Sequence, residues 1–196
     1  MYKVYGLSRS RALRVLWMLE ELGEDYTHVP VPPHDPELLK VSPAGKVPVL
    51  TGPEGVLTDS VAILQYLADS HGKFTIAPGS FRRPQQVALT LQILDELDSL
   101  IWTAARHSFI LPPEHRVAAI KETIRWEYAR NEKAFADRLG DGPWLMGEEM
   151  TVPDFVLAHC LIWAKMARLS TGEPRLEAWL QGVMARPAFV RAAARP

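Results

Sequence analysis

The sequence predicts an α/β domain built on a mixed four-stranded sheet, in the order βαβαββα, followed by an all-helical domain. Two observations carry this. Short β-like runs alternate with helical patterns as far as residue 73, and nearly everything beyond has helical periodicity. The first two strand-like runs flank a helix, which favours a right-handed parallel crossover, whereas the last two are joined by a short turn and must be antiparallel. The expected boundaries are 1–73 for the first domain, 74–83 for a linker and 84–196 for the helical domain.

Each element has a local reason. Residues 2–6 (YKVYG) alternate briefly as a strand. In 11–22 (RALRVLWMLEEL), Leu13, Leu16, Trp17, Leu19 and Leu22 fall near one helical face. Ser10 stands where an N-cap belongs, and Gly23 suits the C-terminal stop. YTHVPV (26–31) reads as the second strand, and the Asp-Pro of HDPELLK opens a short helix. Residues 48–51 and 56–58 form the last two strands about the turn GPEG, with Pro48 at the head of the third, where its missing N–H is tolerated. Asp59 or Ser60 then caps a helix that runs to about His71 and is closed by Gly72. This order is the thioredoxin-like arrangement. Beyond the linker, 84–110 and 114–139 are expected as two long helices. TVPD (151–154) is close to a capping box and launches FVLAHCLIWAKMARL, apolar almost all round and therefore a core helix. Pro174 and Pro187 each begin a further short helix.

Composition narrows the function classes. The chain has 196 residues, 47% of them hydrophobic and 23% charged, the usual balance of a soluble globular protein. A formal net charge of −1 gives no reason to expect a nucleic acid or an anionic membrane as partner. One cysteine, Cys160, excludes an internal disulfide and suits a reducing compartment; the N-terminus lacks a signal-peptide pattern, so a cytoplasmic protein is expected. The six histidines show no ligand spacing, so no metal is expected. Without a C-x-x-C after the first strand, dithiol redox chemistry is excluded. Cys160, among Leu, Ile and Trp, reads as a packed core thiol.

Three features lie at the edges of the predicted sheet. The first is Ser8-Arg9-Ser10-Arg11, at a strand-to-helix turn whose free N–H groups favour an anion such as a thiolate. The second is Val47-Pro48, where a cis bond would leave the backbone of Val47 open to an extended peptide. The third is Asp59-Ser60 at a helix start, able to hold the ammonium and carboxylate of an amino acid's α-end. Taken singly, capping explains the first and third equally well, and most X–Pro bonds are trans.

Together, SRSRALRVLWMLEELG (8–23), SPAGKVPVL (42–50), TDSVAILQYL (58–67) and MTVPDFVLAH (150–159) resemble the soluble glutathione transferases, of the serine-type, theta-, zeta- or phi-like kind. The resemblance spans essentially the whole chain. It implies a thioredoxin-like domain that binds glutathione as co-substrate, a helical domain that contributes the site for an apolar electrophile, a role in detoxification, and a homodimer. It further implies that Pro48 is cis, that Val47 pairs with the cysteinyl backbone, that Asp59 and Ser60 hold the γ-glutamyl end and that Lys46 lies near the glycyl end. Ser10 falls at the activating position, with Ser8 as rival and Arg11 beside it. Tyr5 does not fit the tyrosine-using classes, because it sits too close to the helix motif. Trp102 and Arg106, with His107 and Phe109, are the candidates for the electrophile site, although aromatic stripes on helices are more often core. The alternatives are a glutathione-dependent isomerase, lyase or dehalogenase on the same fold, or a non-catalytic interaction module. A substrate panel separates the enzymes, and a glutathione-affinity column separates binder from module.

Overall fold

The computed structural model describes residues 1–196. The chain forms two compact units, 1–77 with 183–196, and 78–182.

The first unit contains a four-stranded sheet of β1 (Tyr2–Tyr5), β2 (Tyr26–Val29), β3 (Val49–Gly52) and β4 (Gly55–Thr58), in the order β2-β1-β3-β4. β1 and β2 are parallel, and β3 is antiparallel to both β1 and β4. The mixed sheet is therefore the predicted one. β3 begins one residue later than expected, so Pro48 immediately precedes it and stays out of the ladder. The helices of this unit are α1 (Ala12–Leu22), α2 (Pro36–Leu39) and α3 (Ser60–His71). α1 ends at Gly23 (φ 76°) and α3 at Gly72 (φ 61°), both left-handed. The apolar face of α1 is fully covered, with Val15, Leu16, Trp17, Met18 and Leu19 at most 1% exposed.

The tail of the chain completes this unit. α9 (Pro187–Ala193) packs on α1, where Phe189 meets Trp17 edge-on at 5.3 Å between ring centres. Arg186 forms a fork on Glu21, Nε to Oε1 at 2.5 Å and Nη2 to Oε2 at 2.8 Å. Glu20 accepts from Arg191, Arg195 and the Tyr26 hydroxyl. Burial opposes ionisation of Glu20, but the bonds from Arg191, Tyr26 and Arg195 outweigh it and hold the carboxyl below its usual range. Glu21 is held low in the same way by Arg186 and Trp17.

In the second unit, residues 82–110 form one continuous helical rod that includes two π segments. α4 (Arg82–Ile93) and α5 (Ser99–Ala105) are separated by a π segment at Leu94–Asp98, and a second π segment occupies Arg106–Ile110. The first predicted long helix is thus correct in extent, with its start two residues earlier. The second is not: Pro113–His115 is a single 3₁₀ turn, and α6 begins only at Ile120 and runs to Leu139. Pro112 and Pro113 hold that connection in extended and 3₁₀ backbone and delay the helix.

α7 (Val152–Met166) is the buried axis of this unit, and α8 (Pro174–Met184) follows it. The capping box at Thr151 and Asp154 is present. Asp154 Oδ2 closes the box by accepting from Thr151 N–H at 2.8 Å, and its Oδ1 reaches beyond it to accept from Leu145 N–H at 2.9 Å. Complete burial pushes this carboxyl up to about 6 in spite of those bonds. Cys160 is buried, its Sγ 3.9 Å from Asp98 Oδ2, as expected of a packed thiol. Glu132 on α6 secures the loop before α8 by accepting from Ser170 Oγ at 2.7 Å and Thr171 N–H at 2.7 Å.

Candidate active site

The strand register brings the three sequence features to one end of the sheet. Tyr5 pairs with Val49, and Val49 with Thr58. The chain leaving β1 (6–11), entering β3 (47–48) and leaving β4 (59–60) therefore emerges side by side. Gly6 is where two of them touch. A Cβ placed there would lie 2.9 Å from Ala12 Cβ and 3.0 Å from Val47 Cβ, and its φ of 131° disfavours any L side chain. Tyr5 itself is core, packed with Leu38 and Val49.

At the first edge, α1 begins at Ala12, one residue later than predicted, with Arg11 as the flanking residue. Ser10 is not the formal N-cap, because a turn, closed by Ser10 N–H on the Leu7 carbonyl at 2.9 Å, precedes the helix. Its hydroxyl still does capping work: it accepts from Ala12 N–H at 3.1 Å and donates to the Leu7 carbonyl at 2.7 Å. Ser8 is half-buried, its N–H donating to the Pro196 carbonyl at 3.1 Å.

At the second edge, the Val47–Pro48 peptide bond is cis. Val47 is half-buried, Pro48 buried and Lys46 exposed. At the third, Asp59 is the N-cap of α3, with φ 69° and ψ 125°. Its Oδ1 accepts from both Val61 N–H (2.8 Å) and Ala62 N–H (3.1 Å), and the residue is exposed. Ser60 lies beneath it, 2% exposed.

One residue of this region escaped the sequence reading. Arg14, 1% exposed on α1, donates from Nη1 to Ser60 Oγ at 3.1 Å. The available signal was a lone charge inside the apolar run ALRVLWML.

Trp102 and Arg106 lie in the second unit. Trp102, on α5, is 36% exposed. Arg106 opens the second π segment and donates from Nη2 to Thr103 Oγ1 at 3.1 Å, while its buried Nε has no partner. His107 Nδ1 is taken by Val117 N–H at 3.0 Å, and Phe109 is largely exposed. No group of three or more His, Cys, Asp or Glu is placed to hold a metal ion.

Similarity to known proteins covers both parts of the chain. A family model described as glutathione S-transferase, N-terminal domain, matches residues 4–75. A second, glutathione S-transferase, C-terminal domain, matches residues 101–187. Glutathione S-transferase 4 of Zea mays is 30% identical over 199 residues, covering 95% of this chain and 89% of the relative. A glutathione transferase structure from Methylococcus capsulatus superposes with a TM-score of 0.83 at 29% identity, over 98% of this chain and 97% of that one. A family member from Pseudomonas fluorescens, crystallised with two glutathione bound, gives 0.84 at 25% identity, over 100% and 93%. With both family models matched in order and a relative aligned along almost its whole length, this chain belongs to the glutathione S-transferase family.

Proposed function

We propose that this protein is a glutathione transferase that ionises the thiol of bound glutathione at the start of α1 and directs it onto an apolar electrophile. The observation that carries the reading is the convergence of a hydroxyl at a helix start, a cis-proline edge and an acid-capped helix start at one end of the sheet. Each suits one part of the tripeptide. The Val47 backbone pairs with the cysteinyl residue, Asp59 Oδ2 takes the γ-glutamyl ammonium, the α3 start with Ser60 takes its carboxylate, and exposed Lys46 lies toward the glycyl carboxylate. The relative crystallised with two glutathione bound supports the choice of ligand.

Ser10 is the activating group, with Ser8 as the rival position and Arg11 adding positive charge. A free thiol of pKa ~8.5 is only a few per cent ionised at pH 7, and lowering it by about two units needs roughly 2.7 kcal/mol in favour of the thiolate. In the free protein the Ser10 proton is engaged by the Leu7 carbonyl. A hydrogen bond between neutral groups contributes about 0.5–1.5 kcal/mol and one to a charged acceptor about 1.5–3, so a thiolate wins that proton. The helix end adds up to about 1 kcal/mol. The thiol proton goes to solvent, the sulfur forms a bond to the electrophilic carbon, and the leaving group departs with its electron pair. Trp102 and Arg106 contribute to the electrophile site. The protein acts as a homodimer in the cytoplasm; no helix is long and apolar enough to cross a membrane.

The test is thiolate absorbance of bound glutathione against pH. Ser10→Ala is expected to raise the bound thiol's pKa by one unit or more and to slow conjugation at pH 7, with glutathione affinity largely kept. Ser8→Ala is expected to change it less. A shift in Ser8→Ala alone moves the role to Ser8, and a shift in neither removes the serine from the mechanism.

A further inference from the structure

We infer that Arg14, buried under the site on α1, is a positioning residue for γ-glutamyl carboxylate recognition, acting through Ser60. The inference rests on the reading above, in which Ser60 at the start of α3 takes that carboxylate.

A guanidinium 1% exposed is a costly group to place inside a domain, and it is kept only where it is hydrogen-bonded. Arg14 spends one of its donors on Ser60 Oγ, 3.1 Å away and itself 2% exposed. An arginine has no acceptor and does not lose its proton, so in this pair the hydroxyl must be the acceptor. That settles the rotor of Ser60. Its lone pair is committed inward and its proton is left for a second acceptor, which makes it a donor suited to a carboxylate. The permanent charge behind the oxygen polarises the O–H bond, and a fixed cation in low dielectric favours an anion beside it.

The neighbouring cap has complementary polarity. Asp59 places Oδ1 on the N–H groups of Val61 and Ala62, so one acid oxygen is spent on holding the turn. Asp59 thus offers a negative end and the Arg14–Ser60 pair a positive one, the pattern of an amino acid's α-end. Arg14 also lies on the helix whose start carries Ser10. The proposed thiol-activating hydroxyl, in the turn that leads into α1, and the support for the carboxylate end, in the first turn of α1, therefore lie on one short segment.

The experiment measures binding by calorimetry for three ligands: glutathione, its analogue without the γ-glutamyl amino group (glutaryl-cysteinylglycine), and its analogue without the α-carboxylate (4-aminobutanoyl-cysteinylglycine). Arg14→Met is expected to weaken the two ligands that keep the carboxylate by about tenfold and to leave the third unchanged. Ser60→Ala should give the same pattern, and the double variant should be no weaker than Ser60→Ala alone. Arg14→Lys, which keeps a charge and a donor, should recover most of the loss. The thiol pKa of saturated enzyme should stay at the parent value. Equal weakening of all three ligands by Arg14→Met, or additive losses in the double variant, overturns the inference in favour of a purely structural arginine. If Ser60→Ala binds all three ligands as the parent does, the failure lies with the placement of the carboxylate on Ser60. Should Arg14→Met not fold, the Arg14 guanidinium resonances of the unsubstituted ¹⁵N-labelled protein decide. They should shift with glutathione and glutaryl-cysteinylglycine and not with 4-aminobutanoyl-cysteinylglycine; a shift common to all three, or none at all, overturns the inference.

Discussion

At the scale of single residues, Gly6 shows how closely the site is drawn together. It follows β1, donates its N–H to the Val29 carbonyl at 3.0 Å and lends its own carbonyl to His28 Nε2 at 2.7 Å. Its α-carbon faces Ala12 and Val47 with no room for a methyl group. Gly6→Ala must push either the start of α1 or the Val47 edge outward, and it must hold a φ near 131° that an alanine rarely adopts. A cost of about 1–3 kcal/mol is expected. Because both displaced segments belong to the proposed glutathione site, calorimetric melting temperature and glutathione affinity should fall together. An unchanged affinity in a destabilised variant would mean that the two edges move without disturbing the ligand.

At the scale of elements, two helix attachments make separate predictions. The first is the start of α7. Asp154→Ala removes the acceptor of Leu145 N–H and of Thr151 N–H, both in a fully buried setting. Each unsatisfied donor costs about 1–3 kcal/mol, so a loss of roughly 2–4 kcal/mol is expected, more than an exposed cap would give. At about 2–4 °C per kcal/mol the melting temperature should drop on the order of 10 °C, with glutathione affinity of the folded protein little changed. A melting temperature equal to the parent's would show that α7 is anchored elsewhere. The second is the clamp between α9 and α1. Glu20 and Glu21 are held below the usual carboxylate range, so their contribution is present above the unfolded value of about 4.3 and is lost as pH falls through their lowered folded values. Scanning calorimetry from pH 7 to pH 3 should show the parent losing stability below about pH 4.5 faster than Glu21→Gln, which starts lower but has less to lose. Parallel curves would remove the clamp from acid stability.

At the scale of the whole molecule, the chain builds its first unit from both ends. It leaves that unit after Ala77, forms the helical unit from Pro78 to Gly182, and returns at Val183. The proposed glutathione residues, from Ser8 to Ser60, all fall in the first unit, while Trp102 and Arg106 fall in the second. For the assembly we expect a two-fold dimer. Light scattering at micromolar concentration should give twice the 22.0 kDa chain mass. A monomeric mass across that range would overturn the expectation.

The sequence by itself determined what depends on neighbours along the chain. The period-2 and period-3.6 runs placed β1 to β4, α1 and α3 within a residue or two, because side chains must face the core at fixed intervals. Gly23, Gly72, Asp59 and the Thr151–Asp154 box marked helix ends, because caps act within three or four residues. The candidate site is legible along the chain only as separate motifs: the serines at 8 and 10, Val47-Pro48 and Asp59-Ser60. Other features only the tertiary structure decided. Sequence spacing could not say that 6–11, 47–48 and 59–60 meet, since that follows from the pairing of Tyr5 with Val49 and of Val49 with Thr58. The π segments at 94–98 and 106–110 leave hydrophobic periodicity almost intact and were invisible to it. Arg14, Glu20 and Glu21 carry no mark in the local sequence of what they bind. Their partners Ser60, Arg186, Arg191 and Arg195 lie 46 to 175 residues away in sequence. No local pattern encodes an ion pair or a buried hydrogen bond between such distant groups, because its energy exists only once the chain has closed the loop between them.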